Sequence, residues 1–420
     1  MASQYWIETL GCPKNQVDSD KLVGTMQADG MTLAAGPEDA DLVVINTCAF
    51  VEEARQESID TILGLESAKR PDAELVVTGC LAERYGSDLA EALPEVDRVA
   101  PFGVPVTLGT TRPAAVTTAG GFDLLELPRP ASAAPWAYVK VAEGCDRNCG
   151  FCAIPSFRGK QRSRSVDSIL TEVDALDVQE VVLVAQDLAA YGRDQGVGER
   201  QIVPLVEAVR ARVPWVRLLY LYPSDLTQPL IDAVCATGVP YFDLSLQHVS
   251  RPLMRRMRRW GEGEVFRSRI DEIRGWEPGA TFRSNFIVGY PGETETDHDA
   301  LLDFVRDVRL DWCGFFAYSE EEGTYGAELD GKVPEGLMQE RLAELRDLQD
   351  RITAENRDAM IGSKTTVLVD RPGIARSTAE APEIDGVIQV PDAMTVGAFH
   401  QVRIVGAEGP DLIAVADGQP

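Results

Sequence analysis

Three cysteines stand as C-x3-C-x2-C in Glu143-Gly144-Cys145-Asp146-Arg147-Asn148-Cys149-Gly150-Phe151-Cys152, among Gly, Asn and Asp residues that suit a loop better than a core. Thiolates this close in sequence can converge on one iron-sulfur cluster. A closed zinc site needs a fourth ligand, and the next cysteine after Cys152 is Cys235. A cluster held by three thiolates leaves one iron open.

The residues before this loop repeat one pattern three times: an apolar, β-branched run that ends in a cysteine. Tyr5 to Gly11 leads to Cys12, Leu42 to Thr47 to Cys48, and Leu75 to Gly79 to Cys80, with helical stretches at Ser19 to Ala28 and Glu52 to Ser67. This reads as βαβαβ with a parallel sheet. Loops at the carboxyl ends of such strands share one edge, so the three cysteines can meet in a second three-thiolate site.

Periodicity fades from Pro101 to Pro135, which collects Pro, Gly, Thr and Ala, as in Thr110-Thr111-Arg112-Pro113-Ala114-Ala115, and reads as a linker or edge segment. Strand patterns then recur at Ala137 to Val141, Glu180 to Ala185, Arg217 to Leu221, Tyr241 to Leu246, Thr281 to Val288 and Trp312 to Tyr318. Six such units with amphipathic stretches between them suggest a barrel-like parallel sheet whose function collects at the carboxyl strand ends. Gln186, Asp187, Tyr222, Ser224, Gln247, Glu320 and the turn Gly289 to Glu293 fall there as a polar rim. His248, alone at a strand end, reads as structural, and the run Arg158, Lys160, Arg162, Arg164 as a solvated face, with an electrostatic role beside an anionic cluster or a carboxylate substrate as the alternative. Cys235 and Cys313 read as core.

Leu337 to Met360 carries a helical apolar stripe, in which Met338 reads as packing, and the helix stops at Gly362. Short β-type runs follow at Thr365 to Asp370, Val387 to Val390, Phe399 to Val405 and Leu412 to Val415, as in a small all-β barrel.

The net charge of -27 argues against a wide contact with nucleic acid. From Arg357 onward five Lys and Arg face nine Asp and Glu, with Phe399 the only aromatic, so docking of a basic protein fits this module better. No run of eighteen apolar residues and no signal-like N-terminus occurs, and the sparse cysteines suit a reducing compartment. The expected location is cytoplasmic, with no membrane partner.

The C-x3-C-x2-C loop resembles the signature of the radical S-adenosylmethionine enzymes, and the whole chain resembles their methylthiotransferases. Leu10 to Ser19, Val184-Ala185-Gln186-Asp187, Tyr318 to Thr324 and Ala381 to Gly386 look like the ribosomal protein branch. That branch carries a proline before Leu246-Gln247-His248, where this chain has Ser245. The resemblance implies an α/β chain: an N-terminal α/β parallel-sheet domain (1–110), a linker (111–134), a radical SAM partial (β/α)6 barrel (135–356) and a C-terminal all-β TRAM barrel (357–420). It further implies two 4Fe-4S clusters, on Cys145, Cys149 and Cys152 and on Cys12, Cys48 and Cys80, with S-adenosylmethionine as cosubstrate. The implied reaction is methylthiolation of the β-carbon of an aspartate in small-subunit ribosomal protein twelve, without catalytic residues beyond the cluster ligands. Gln186, Asp187, Gln247 and Arg283 are the expected S-adenosylmethionine and substrate pocket. The implied partners are that basic protein, an electron donor such as flavodoxin or ferredoxin, and a sulfur source. The alternatives are a transfer RNA methylthiotransferase or a non-catalytic iron-sulfur scaffold on the ribosome.

Overall fold

The computed structural model describes residues 3–108, 122–196 and 200–418. The boundary expected at 110, much of the expected linker, and the Thr110 to Ala115 stretch lie outside the described residues.

The N-terminal strands β1 (Gln4–Thr9), β2 (Thr32–Leu33), β3 (Leu42–Thr47), β4 (Glu74–Gly79) and β5 (Arg98–Ala100) form one parallel sheet in the order β2-β1-β3-β4-β5. β3 is buried at every residue, as its unbroken β-branched run requires of a strand covered on both faces. Helices α1 (Pro13–Ala28), α2 (Glu52–Ala68) and α3 (Cys80–Ala92) connect the strands. The short β2 and β5, and α3, lack the length or apolar pattern that would have marked them in sequence.

The second unit begins with β6 (Trp136–Lys140), followed by β7 (Ala142–Glu143), helix α4 (Ile154–Arg158) and β8 (Arg162–Ser163), with β7 and β8 paired antiparallel. Further strands are β9 (Glu180–Val184), β10 (Trp215–Leu218), β11 (Tyr241–Gln247), β12 (Thr281–Val288) and β13 (Trp312–Ala317). They are parallel in two triplets, β10-β9-β6 and β11-β12-β13, joined by a Leu221–Leu244 bridge. The six long strands thus run in sequence order around an open barrel. Ser245 donates its N–H to the Leu221 carbonyl at 2.9 Å across this seam, a bond that a proline there could not make. Helices α5 (Val166–Leu176), α6 (Ile202–Arg210), α7 (Gln228–Cys235), α8 (Arg251–Arg256), α9 (Gly263–Trp276) and α10 (Glu295–Val308) pack outside. The α10 start carries a capping box between Thr294 and Asp297.

Helix α11 (Glu335–Asp358) leads to β14 (Lys364–Arg371), β15 (Ile374–Arg376), β16 (Ile388–Gln389), β17 (Phe399–Glu408) and β18 (Asp411–Ala416), which close a barrel in the order β14-β15-β16-β18-β17. Met338 is buried in the helix stripe.

The open barrel is filled by its neighbours. Val17 of α1 and Ala381 and Ile384 of the C-terminal barrel pack with Tyr138, Val182, Val184 and Tyr241 in one apolar cluster. Tyr138 donates to the Pro382 carbonyl at 2.7 Å and Tyr241 to Asp385 at 2.5 Å. At the amino ends of the strands, Glu180 is fully buried between Arg217 and Arg376, at 2.8 and 2.7 Å. Within the expected linker, Leu124 and Leu125 are buried, and the Leu125 and Leu127 carbonyls accept from Lys21 at 2.7 and 2.9 Å. The expectation of a solvated basic run after the cysteine loop changes in part: Arg158 and Arg164 are buried in ion pairs, while Lys160 and Arg162 are exposed.

Candidate metal and radical site

The β7–β8 pair ties off the cysteine loop at its base. Gly144 sits at φ +80, where a side chain would run into the Lys160 carbonyl, so only glycine fits this turn. Inside the loop, Cys145 N–H donates to the Gly159 carbonyl at 3.0 Å and Cys152 N–H to the Cys149 carbonyl at 3.2 Å. Burial raises the Cys145 thiol to about 11 and the Cys152 thiol to about 12. Cys149 and Cys145 both add to the shift at Cys152, so the three sulfurs share one neighbourhood.

The N-terminal cysteines come together at the carboxyl edge of their sheet. Cys12 caps α1, Cys48 follows β3, and Cys80 opens α3. Asn15 joins their loops, donating to the Leu10 carbonyl at 2.9 Å and the Thr47 carbonyl at 3.0 Å. A side chain on Gly11 would lie 2.9 Å from Cys48 Cβ, so the Cys12 loop presses on Cys48. Burial, followed by Cys80, lifts Cys48 to about 12. Cys80 is also raised, by burial, against the opposing effect of Arg158. At Cys12 burial is outweighed by Lys14, the Asn15 amide and Arg158, and the thiol is lowered.

Two sets of three soft donors, each set sharing one neighbourhood, suit iron-sulfur clusters. Among the described residues no three His, Cys, Asp or Glu side chains converge as ligands of a single metal ion. Thiols that each hold a different iron of one cluster stand farther apart than that.

One buried cation joins the two sets. Arg158 Nη2 lies 3.0 Å from Cys80 Sγ and 2.8 Å from Asn15 Oδ1, while Nη1 reaches Asp18 at 3.1 Å and Glu143 at 2.9 Å. Lys140 pairs with the same two carboxylates. Burial alone would raise the Glu143 carboxyl, but Arg158 and Lys140 hold it down at about 2. Gln186 donates to Glu143 at 2.6 Å. Asp187 pairs with Arg147 at 2.6 Å, and Arg147 also pairs with Asp225. Gln186 Oε1 and Asp187 Oδ1 are buried with no hydrogen-bond partner among the described residues. Arg147 and Arg259 both stack on Tyr222, with ring centroids 3.8 and 4.0 Å away.

Of the other expected pocket residues, Gln247 ends β11 at φ +74 beside a register shift. Arg283 is held by Asp243 at 3.1 Å and Asp385 at 3.4 Å. His248 is fully buried, and burial lowers it to about 4. Cys313 is enclosed beside Arg283, and Cys235 packs against the apolar core. A second interdomain clamp lies at Glu321, which accepts from Arg55 and, at 2.7 Å, from Arg84. Ser319 accepts from the Glu52 N–H at 3.1 Å, and Arg84 also donates to the Ala49 carbonyl beside Cys48. Sequence reading singles out none of Arg147, Asn15 and Arg259 as a site residue, and it takes Arg158 as part of a solvated run. Only the closeness of Arg147 to the cysteine loop could flag any of the first three.

Family models match along the chain: uncharacterized protein family UPF0004 over residues 4–101, the radical SAM superfamily over 139–305 and the TRAM domain over 361–416. The ribosomal protein uS12 methylthiotransferase RimO of Cutibacterium acnes is 39% identical, with 97% of this chain and 96% of that protein covered. The chain belongs to the ribosomal protein uS12 methylthiotransferase family. The RimO of Moorella thermoacetica is 40% identical over 94% of this chain and 95% of that protein. That of Myxococcus xanthus is 38% identical over 97% and 90%. Among solved structures, the cobalamin-dependent S-adenosylmethionine radical enzyme OxsB covers 83% of this chain and 56% of its own, at 12% identity and TM-score 0.50, a likeness of fold. As a radical SAM methylthiotransferase, this family member works with S-adenosylmethionine and a 4Fe-4S cluster.

Proposed function

We propose that the chain methylthiolates the β-carbon of an aspartate in small-subunit ribosomal protein twelve, with two 4Fe-4S clusters. Cys145, Cys149 and Cys152 would hold one, and Cys12, Cys48 and Cys80 the other, within domains that divide near residues 110, 134 and 356. The first cluster supplies reductive cleavage of S-adenosylmethionine to a hydrogen-abstracting radical, and the second supplies the sulfur.

The observation that carries this reading is the Arg158 bridge, which links the two cysteine sets through one guanidinium and Glu143. A carbon radical must meet its sulfur before it reacts elsewhere, so the two sites have to be neighbours held in fixed register. Arg158 and Glu321 supply that register from different elements. Glu143 orients Gln186, whose free Oε1 and the free Asp187 Oδ1 offer two buried acceptors for an ammonium group. Gln247 would line the substrate side, and Arg283, fixed by Asp243 and Asp385, would hold the barrel floor.

A basic protein substrate is favoured over transfer RNA by the C-terminal barrel. Of the five cations from Arg357 on, Arg357 and Arg376 are buried in ion pairs, Lys364 and Arg403 pair with Asp417, and Arg371 is exposed. Among the described residues these pairings leave no basic stripe. No helix among the described residues is long and apolar enough to cross a membrane. A cytoplasmic site of action agrees with a ribosomal substrate, and a sulfur source and a one-electron donor complete the reaction.

The test is mass spectrometry of ribosomal protein twelve and of total transfer RNA from cells with and without the gene. A methylthio mass on the aspartate peptide that disappears with the gene supports the reading. A methylthio group lost from transfer RNA instead overturns it.

A further inference from the structure

Arg251, Arg255, Arg256, Arg258 and Arg259 fall within nine residues of an acidic chain. Helix α8 and the turn after it display Arg251, Arg255 and Arg258 in solvent, with Trp260 47% exposed beside them. Among the described residues, Arg251 pairs with Glu262 at 3.8 Å, Arg256 pairs with Asp330, and Arg258 stacks on the Tyr325 ring at 3.6 Å.

The same turn touches the cysteine loop. The Met257 carbonyl accepts the Gly150 N–H at 2.8 Å, and Arg259 Nη1 lies 3.4 Å from Cys149 Sγ. Arg258 adopts φ +53, the left-handed conformation that ends α8, and Arg259 N–H closes back on the Met254 carbonyl at 2.8 Å. The reversal delivers Arg259 to Cys149 while leaving Arg255 and Arg258 outside.

We infer that this arginine face is the docking surface for an acidic protein that donates single electrons to the cluster on Cys145, Cys149 and Cys152. The inference rests on that cluster assignment. Charge complementarity favours an acidic partner, and an exposed Trp among arginines matches the residue types that dominate protein interfaces. Glu262, Glu264 and Asp330 bound the patch, so it lacks the long cationic track that RNA requires. In the step served, a flavin hydroquinone loses one electron and one proton to become the semiquinone. That electron would pass to the cluster held by Cys145, Cys149 and Cys152, taking it from the +2 to the +1 state, and the proton would leave to solvent.

The experiment compares wild type, an Arg251→Glu/Arg255→Glu variant and an Arg251→Lys/Arg255→Lys variant, with an acidic flavodoxin as probe. Binding of oxidised flavodoxin to the metal-free full chain is measured by calorimetry at two salt concentrations. Cluster reduction in the loaded protein is then followed with flavodoxin hydroquinone and, separately, with dithionite. Docking here predicts about tenfold weaker binding and slower flavodoxin-driven reduction for the Glu variant, with the Lys variant and the dithionite rate unchanged. Equal behaviour of the three proteins with flavodoxin overturns the inference. So does equal slowing by both reductants, or a Glu variant that loses only affinity for small ribosomal subunits. If the loaded wild type takes no electron even from dithionite, the cluster assignment fails, while the binding arm still reports on the face.

Discussion

Arg158 Nη2 lies 3.0 Å from Cys80 Sγ, although the two residues belong to different helices, α4 and α3, and are 78 positions apart. The same side chain holds Glu143, two residues before Cys145, and Asp18 of α1. Replacing it with Gln leaves two buried carboxylates with Lys140 as their one remaining cation. Loss of one partner from such a network costs about 3–5 kcal/mol. Urea unfolding of Arg158→Gln will show this drop, and reconstituted iron will fall in the same variant. Arg158→Lys, which keeps the charge without the fork, will recover part of both.

Two 4Fe-4S clusters call for ~8 iron atoms per chain, and Cys12→Ala/Cys48→Ala/Cys80→Ala will reduce this to ~4. Iron and acid-labile sulfide after anaerobic reconstitution decide the matter. Equal iron in wild type and variant would make the N-terminal thiols structural.

Glu321 binds Arg55 and Arg84, and its variant Glu321→Ala removes the carboxylate they share, leaving Arg55 to Glu52 and Arg84 to the Ala49 carbonyl, where the N-terminal unit meets the segment after β13. The cysteine loop is untouched, so cleavage of S-adenosylmethionine will continue. The methylthiolated product formed per 5'-deoxyadenosine will fall several-fold. A fall in both together would place Glu321 in the cleavage step.

His248 is fully buried, accepts the Ser250 N–H at 3.1 Å and is lowered by burial from the ordinary 6.5 to about 4. Because the unfolded chain takes up its proton first, stability is complete above pH 6.5 and is lost as pH falls toward 4, by about 3 kcal/mol. In His248→Gln this pH-linked share will be missing from unfolding curves taken at pH 7 and pH 4.5. The variant will keep the wild-type pH profile of turnover between pH 6 and 8, where His248 stays neutral. A changed profile there would give the imidazole a role in the reaction.

Glu180 neutralises Arg217 of the open barrel and Arg376 of the closed one, all three buried. Glu180→Gln will loosen the two barrels by about 3–5 kcal/mol. Limited proteolysis will then cut between α11 and β14 faster than in wild type. Unchanged cutting would show that Tyr138, Tyr241 and the apolar cluster hold the module without the ion pair.

Much of the frame was legible because it rests on local pattern. The β-branched runs at Leu42 to Thr47 and Leu75 to Gly79, the stripe from Leu337 and the turn-broken runs after Thr365 form the elements their periodicity requires. The cysteine spacing likewise set which thiols could share a loop. Arg158 and Arg164 show the limit, for the charged run that contains them reads as solvated, yet these two lie buried while Lys160 and Arg162 are exposed. Burial of a charge depends on partners such as Asp18 and Glu172, which come from other parts of the chain. The sequence by itself therefore determined the three units and their donor chemistry, since strand period, turn residues and thiol spacing act over a few neighbouring positions. Only the tertiary structure decided that Cys80 and Glu143 share one guanidinium, that the Ala381 to Asp385 segment fills the open barrel, and that five clustered arginines divide between solvent and Cys149. Those outcomes are set by contacts between residues far apart in the chain, whose energies appear only once the units pack.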